Sequence, residues 1–316
     1  MTSHTLACKL FLATVVTELV INLAIEANIL WRFHVEINSG DSSEMELENS
    51  RRLPIYLIIY GLAYLWTLVL TVVAIRARNT VQIVGITAFN FAILAYAVIQ
   101  IYELRKILGD NLAEGLPGEQ GDNGPSSSLL SLPLNILTAV VIAVVATGSI
   151  ILIILSYFIR RDFGWDRYRF LGADLQIRKF YFRFQIFECI AYFSAFFCAG
   201  FGIQFIWLVL QKTDVEYIIT WIMFPLSILL LIMGRFAAKY ENRYLMGAFE
   251  VGLFAGCAYF VFKLIRIWQQ TDTVYDNVVA SLTTFDALSL LSLMACFIGG
   301  AVVWSNFGKG LKEARE

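Results

Sequence analysis

The sequence predicts an all-α membrane protein, a polytopic bundle of eight transmembrane helices with seven as the alternative. Three observations predict it. Hydrophobic residues make up 59% of the chain and charged residues 16%, where an average soluble domain is about half apolar and about a quarter charged. Eight apolar runs each reach the roughly 20 residues a helix needs to cross the hydrocarbon core. Lys and Arg are also unevenly shared among the segments between those runs, as membrane topology requires.

The runs cover residues 10–31, 53–75, 81–102, 134–158, 184–210, 217–236, 245–267 and 282–304. The first has almost no basic lead, carries Glu18 and Glu26 within it and lacks a convincing cleavage site, so it reads as a retained span and not a signal peptide. It is also the weakest span. Each central acid costs about +2.5 to +3.5 kcal/mol on the insertion scale, which its aliphatic residues only just offset. That balance is why seven spans stand as the alternative. Asp174 is a plausible N-cap for a helix that starts in the cytosol and enters the membrane near Phe184.

The densest charge in the chain is the stretch 159–183, which holds Arg160, Arg161, Arg167, Arg169, Arg178, Lys179 and Arg183. Lipid resists passage of such a cluster, so it is expected to be a basic cytosolic loop. Threading outward from it assigns 16 of the 24 Lys and Arg to the cytosolic side and both termini with them. On the opposite side, 109–131 is rich in Gly, Pro, Ser and acids, a composition that builds no core, and is expected to be a flexible lumenal loop. No Asn-x-Ser/Thr sequon marks that side.

Composition narrows the chemistry. A formal net charge of −1 gives no electrostatic footprint for nucleic acid, which needs basic charge gathered on one face. Five cysteines without a CxxC pair read as small buried hydrophobes. Two histidines are too few for the clustered ligands of an intramembrane metalloenzyme. No nucleophile elbow, zinc helix or phosphate-binding loop occurs, so no catalytic residue, cofactor or metal is expected.

What remains is polar residues inside apolar helices. Thr14, Glu18, Asn22 and Glu26 recur every four residues and share one helix face. Glu188, Glu250 and Asp286 are further intramembrane acids. Such groups are expensive in lipid and face a bundle interior or a watery path. One reading is an ion or proton path through Glu18, Asn22, Glu26, Glu188, Glu250 and Asp286. The other is hydrogen bonding between helices, with a contact to Lys263. Gln82, Asn90 and Gln100 read as glue between helices. Gly252 and Gly256 form a small-xxx-small pair, while Pro225 and the Gly200/Gly202 pair are places where helices could break around a site. The basic stretch reads chiefly as a topology determinant, with membrane lipid or a cytosolic coat or sorting factor as its possible partners.

Several stretches carry a resemblance. RNTVQIVGITAFNFAILAYAVIQIYEL (78–104), FGWDRYRFLGADLQIRKFYFRFQIF (163–187), AFFCAGFGIQ (195–204), YFVFKLIRIW (259–268) and NFGKGLK (306–312) resemble an uncharacterised family of fungal Golgi apparatus multi-pass membrane proteins. The similarity runs over most of the chain and is most specific in the basic block. It implies a multi-spanning Golgi protein and carries over no catalytic or binding residue. The expectation is a non-enzymatic role in membrane organisation or trafficking. The alternatives are a transporter or channel for protons, cations or a small solute, and a seven-helix receptor-like protein.

Overall fold

The computed structural model describes residues 2–38, 44–112, 134–171, 175–208, 215–269 and 279–309. These form eight α-helices: α1 (Thr2–Asn38), α2 (Glu44–Arg76), α3 (Thr80–Leu112), α4 (Leu134–Leu171), α5 (Leu175–Leu208), α6 (Val215–Tyr240), α7 (Arg243–Gln269) and α8 (Val279–Trp304). Each contains a stretch long and apolar enough to cross a membrane, α1 included. Backbone groups in hydrocarbon have no water to bond, and a helix satisfies them within itself. The chain divides into two compact units, Met1–Asp162 and Phe163–Glu316.

The helices outrun the apolar stretches that seed them. α2 begins nine residues before the run at 53–75, and α4 continues to Leu171. The first half of the basic stretch 159–183 is therefore helix and not loop. No proline interrupts it, and its Arg and aromatic residues are tolerated in a helix that leaves the apolar layer. Asp174 lies outside the described residues, but α5 starts at the next position. Of the acidic segment 109–131, residues 113–131 also lie outside them. The breaks that Pro225 and Gly200/Gly202 would permit do not occur, because α5 and α6 run through them. A side chain on Gly200 would meet the Phe285 ring, and one on Gly202 the Phe224 ring. These glycines are points of close packing.

Large apolar side chains cover the outside. Ile218, Ile222, Leu226 and Leu229 lie exposed on α6, and Val251 and Phe254 on α7 are more than 70% exposed. In water such a surface would aggregate; against lipid tails it is matched. In the first unit α2 packs on α1 and α3, where Tyr60 meets Tyr64 edge-on at 5.1 Å and stacks on Tyr96 of α3 at 5.9 Å. Gln82 of α3 donates to the Leu70 carbonyl of α2 at 3.2 Å. In the second unit α8 packs on α5 and α7, and α6 on α5 and α7. Phe187 of α5 meets Phe249 of α7 at 5.8 Å, and Phe201 meets Phe260 at 5.2 Å.

Two tight turns have the same construction. At the end of α2, Arg78 takes a left-handed φ of 48°, and at the end of α6, Glu241 takes 51°. The following asparagine N–H reaches back to the carbonyl of a buried alanine, Asn79 to Ala74 and Asn242 to Ala237, each at 3.0 Å. That six-to-one bond is the Schellman helix ending. The same asparagine then caps the next helix: Asn79 Oδ1 accepts from Val81 and Gln82 at 3.0 and 3.2 Å. Asn242 Oδ1 accepts from Tyr244 and Leu245 at 3.0 and 3.3 Å. Replacing an N-cap of this kind by Ala costs about 1 kcal/mol. Asn79→Ala and Asn242→Ala are each expected to lower the thermal unfolding temperature of the detergent-solubilised protein, while Asn→Asp at either position holds it.

Candidate functional site

The polar stripe of α1 faces inward. Glu18, Asn22 and Glu26 are 3%, 0% and 5% exposed, whereas Thr14 turns its hydroxyl back to the Leu10 carbonyl at 2.9 Å. Three helices meet at Glu18. Asn90, fully buried in the first half of α3, directs its Nδ2 to Glu18 Oε1 at 3.4 Å and to Ser149 Oγ of α4 at 3.2 Å. Asn22 Nδ2 donates to the Glu18 backbone carbonyl at 2.8 Å. Tyr60 and Tyr64 of α2 share a hydroxyl bond of 3.2 Å and lie within electrostatic reach of both Glu18 and Glu26.

Gly148 makes this meeting possible. A Cβ on it would collide with the Glu18 carboxyl group. The cluster is not saturated: Asn22 Oδ1 and Asn90 Oδ1 are buried and accept no hydrogen bond. Turning the Asn90 amide over would only exchange which end is left over.

The other acids occupy separate places in the second unit. Glu188 of α5 pairs with Arg235 of α6 at 2.7 Å. Tyr192 closes that group, with its hydroxyl donating to Glu188 Oε1 at 3.4 Å and its ring 5.2 Å from the Arg235 guanidinium. Glu250 of α7 lies against Gly300 of α8, where any side chain would strike its carboxyl group. Asp286 of α8 is 1% exposed and Lys263 of α7 is 2% exposed. The Lys263 ammonium stands 4.2 Å from the Phe205 ring centre and 5.7 Å from that of Tyr259, and its charge acts on Asp286. The structure thus gathers Glu18, Asn22 and Glu26 into one cluster, while Glu188, Glu250 and Asp286 each have their own surroundings. Among the described residues no three His, Cys, Asp or Glu side chains gather as a metal site.

Of the basic residues, Arg160, Arg161, Lys179 and Arg183 are exposed and Arg178 is half-buried. Arg161 lies 5.8 Å from the Phe158 ring centre and 4.0 Å from Asp162. Arg167 and Arg169 lie on α4 with side chains outside those described. Sequence reading took Asn90 for glue between helices, and it does join three of them. It passed over Ser149 and Gly148, whose signal was a small Gly-Ser pair in the most hydropathic of the eight spans. Arg235, the partner of Glu188, carries no signal in the sequence beyond its place at the end of an apolar run.

Eight apolar helices with polar groups turned inward define a polytopic α-helical membrane protein. The chain is similar over nearly all of its length to a UPF0658 Golgi apparatus membrane protein of Schizosaccharomyces pombe, at 26% identity over 97% of this chain and 92% of that protein. The resemblance to the uncharacterised Golgi family, expected over most of the chain, thus holds over nearly all of it. No family model and no solved structure matches the chain.

Overpacking a filled interior costs about 1–3 kcal/mol, and Gly148 has a carboxyl group directly above it. Gly148→Ala is expected to lower thermal stability by that order, and combining it with Glu18→Ala to recover part of the loss. A double-mutant cycle on the purified protein measures the coupling. A cycle with additive effects would remove the contact.

Proposed function

We propose that this protein resides in the Golgi membrane with both termini in the cytosol and serves a non-enzymatic role in organising or trafficking that membrane. The observation that carries this reading is the near full-length similarity to a protein named for that compartment. The sidedness rests on the positive-inside distribution, with twice as many Lys and Arg on the assigned cytosolic side as on the other. The exposed side chains of Arg160, Arg161, Lys179 and Arg183 are free to contact anionic headgroups or a cytosolic coat or sorting factor. Membrane lipid is the first partner, and partner proteins are expected at those basic side chains.

A second reading, transport of protons, cations or a small solute, is favoured by one observation. Glu18, Asn22 and Asn90 keep buried polar atoms together inside the first unit, and two of those atoms are unmatched. In lipid, polar groups of this kind mark ion and proton pathways as well as helix contacts.

The first reading is checked by fluorescence microscopy of the tagged protein with a Golgi marker, followed by protease treatment of sealed Golgi vesicles. N- and C-terminal tags are both expected to be digested from outside. A protected N-terminal tag would instead support a seven-span, receptor-like topology. For the second reading, proteoliposomes with pH- and ion-sensitive dyes are expected to show flux that Glu18→Gln abolishes. No flux of any tested ion in the native protein removes it.

A further inference from the structure

Asp286 and Glu250 are the two described acids of the second unit whose oxygens accept no hydrogen bond, and Asp286 is the one with a cation within reach. Asp286 is 1% exposed in the wall of an apolar span. Its neighbours explain how it can be tolerated. α7 contributes Lys263, whose charge acts on it, and α5 contributes Cys198, which it reaches electrostatically. α6 also touches α8, but its described charged side chains lie elsewhere. Arg235 is held by Glu188, and Lys239 is in the last turn of the helix. Glu250, whose oxygens likewise accept no hydrogen bond, lies against Gly300, more than three turns along α7 from Lys263.

Lys263 is not dependent on Asp286 alone. Its ammonium is seated over the Phe205 ring with Tyr259 on another side, and aromatic faces stabilise a desolvated cation. A lysine that keeps its charge by ring contacts leaves the acid free to exist in two forms. Both residues lie about 10 Å from the helix ends where α7 finishes at Gln269 and α8 begins at Val279. They are about two turns inside those helix ends, at the opposite end of α6 from Arg235.

We propose that Asp286, within electrostatic reach of Lys263, is a proton-binding site inside the second unit, loaded from the side of the membrane at which α7 ends. Binding converts the Asp286 carboxylate to the carboxylic acid with no other bond made or broken. Lys263 stays an ammonium throughout, so the pair passes from net zero to one positive charge, which the Phe205 and Tyr259 rings take up. The ligand is the proton itself, and Lys263 is the positioning residue that sets how acidic the medium must be. This inference is independent of any transport through the Glu18 cluster.

Infrared difference spectroscopy on the purified protein in lipid nanodiscs tests it. Acidification is expected to raise a carboxylic acid C=O band that shifts in D₂O, that Asp286→Asn removes and that Glu18→Gln and Glu250→Gln leave. Removing the neighbouring cation favours the protonated form, so Lys263→Met is expected to move the midpoint of that band upward by about one pH unit or more. Lys263→Arg holds it in place. If Asp286→Asn fails to fold, ¹³C-aspartate labelling of the native protein must shift the band. No titrating band, a band insensitive to aspartate labelling or to Asp286→Asn, or a midpoint unmoved by Lys263→Met would overturn the proposal.

Discussion

Hydrocarbon offers no hydrogen bonds, and that deficit governs where every polar side chain in this protein can go. In a soluble bundle a misplaced Glu or Asn can turn outward at little cost. Here it must meet another helix, bond back to its own or remain unmatched, at several kcal/mol for an isolated polar group. Apolar contact does not discriminate between helices and lipid, since both surfaces are aliphatic. The polar pairs and the small residues that admit them therefore select which helix faces which. Glu18 with Asn90 and Ser149, and Glu188 with Arg235, are selections of this kind.

The marginal helix shows the rule most clearly. α1 carries two glutamates and an asparagine within its apolar stretch, enough to bring its own insertion balance near zero. All three are buried inside the first unit. α1 is thus the span whose residence in the membrane depends most on its neighbours, and Gly148 is where α4 yields room for its carboxyl group. By contrast α4 is the most hydropathic span and α6 the least buried. Their exposed aliphatic faces need nothing from the protein.

Sequence made the helices legible because length and apolar content decide a span, and both are local. The fourfold spacing of Glu18, Asn22 and Glu26 likewise placed them on one face, and that face is buried. What escaped was which helices meet. Nothing in the apolar run of α4 distinguishes Ser149 as a partner of Asn90, because the pairing is fixed by packing across residues far apart in the chain. The helical continuation of α4 to Leu171 escaped for a different reason. Charge density was read as loop, whereas Arg-rich segments without proline sustain a helix once they leave the lipid.

The two units also share a device that no sequence repeat announces. In each, the second and third helices are joined by a left-handed residue followed by an asparagine, and that asparagine both closes the first helix and caps the second. Arg78 and Glu241 have no chemistry in common, so a comparison of letters aligns only the asparagine and the buried alanine five residues before it. The backbone imposes the likeness. A turn this short must reverse the chain at once, use a residue that tolerates positive φ, and satisfy the first free N–H groups of the helix that re-enters the membrane. Asparagine performs the last task in both places, and Ala74 and Ala237 are small enough for the reversing chain to reach their carbonyls. The constraint that sorts the side chains in the bilayer thus also shapes the turns at its edge, where each backbone group is satisfied before the next helix begins.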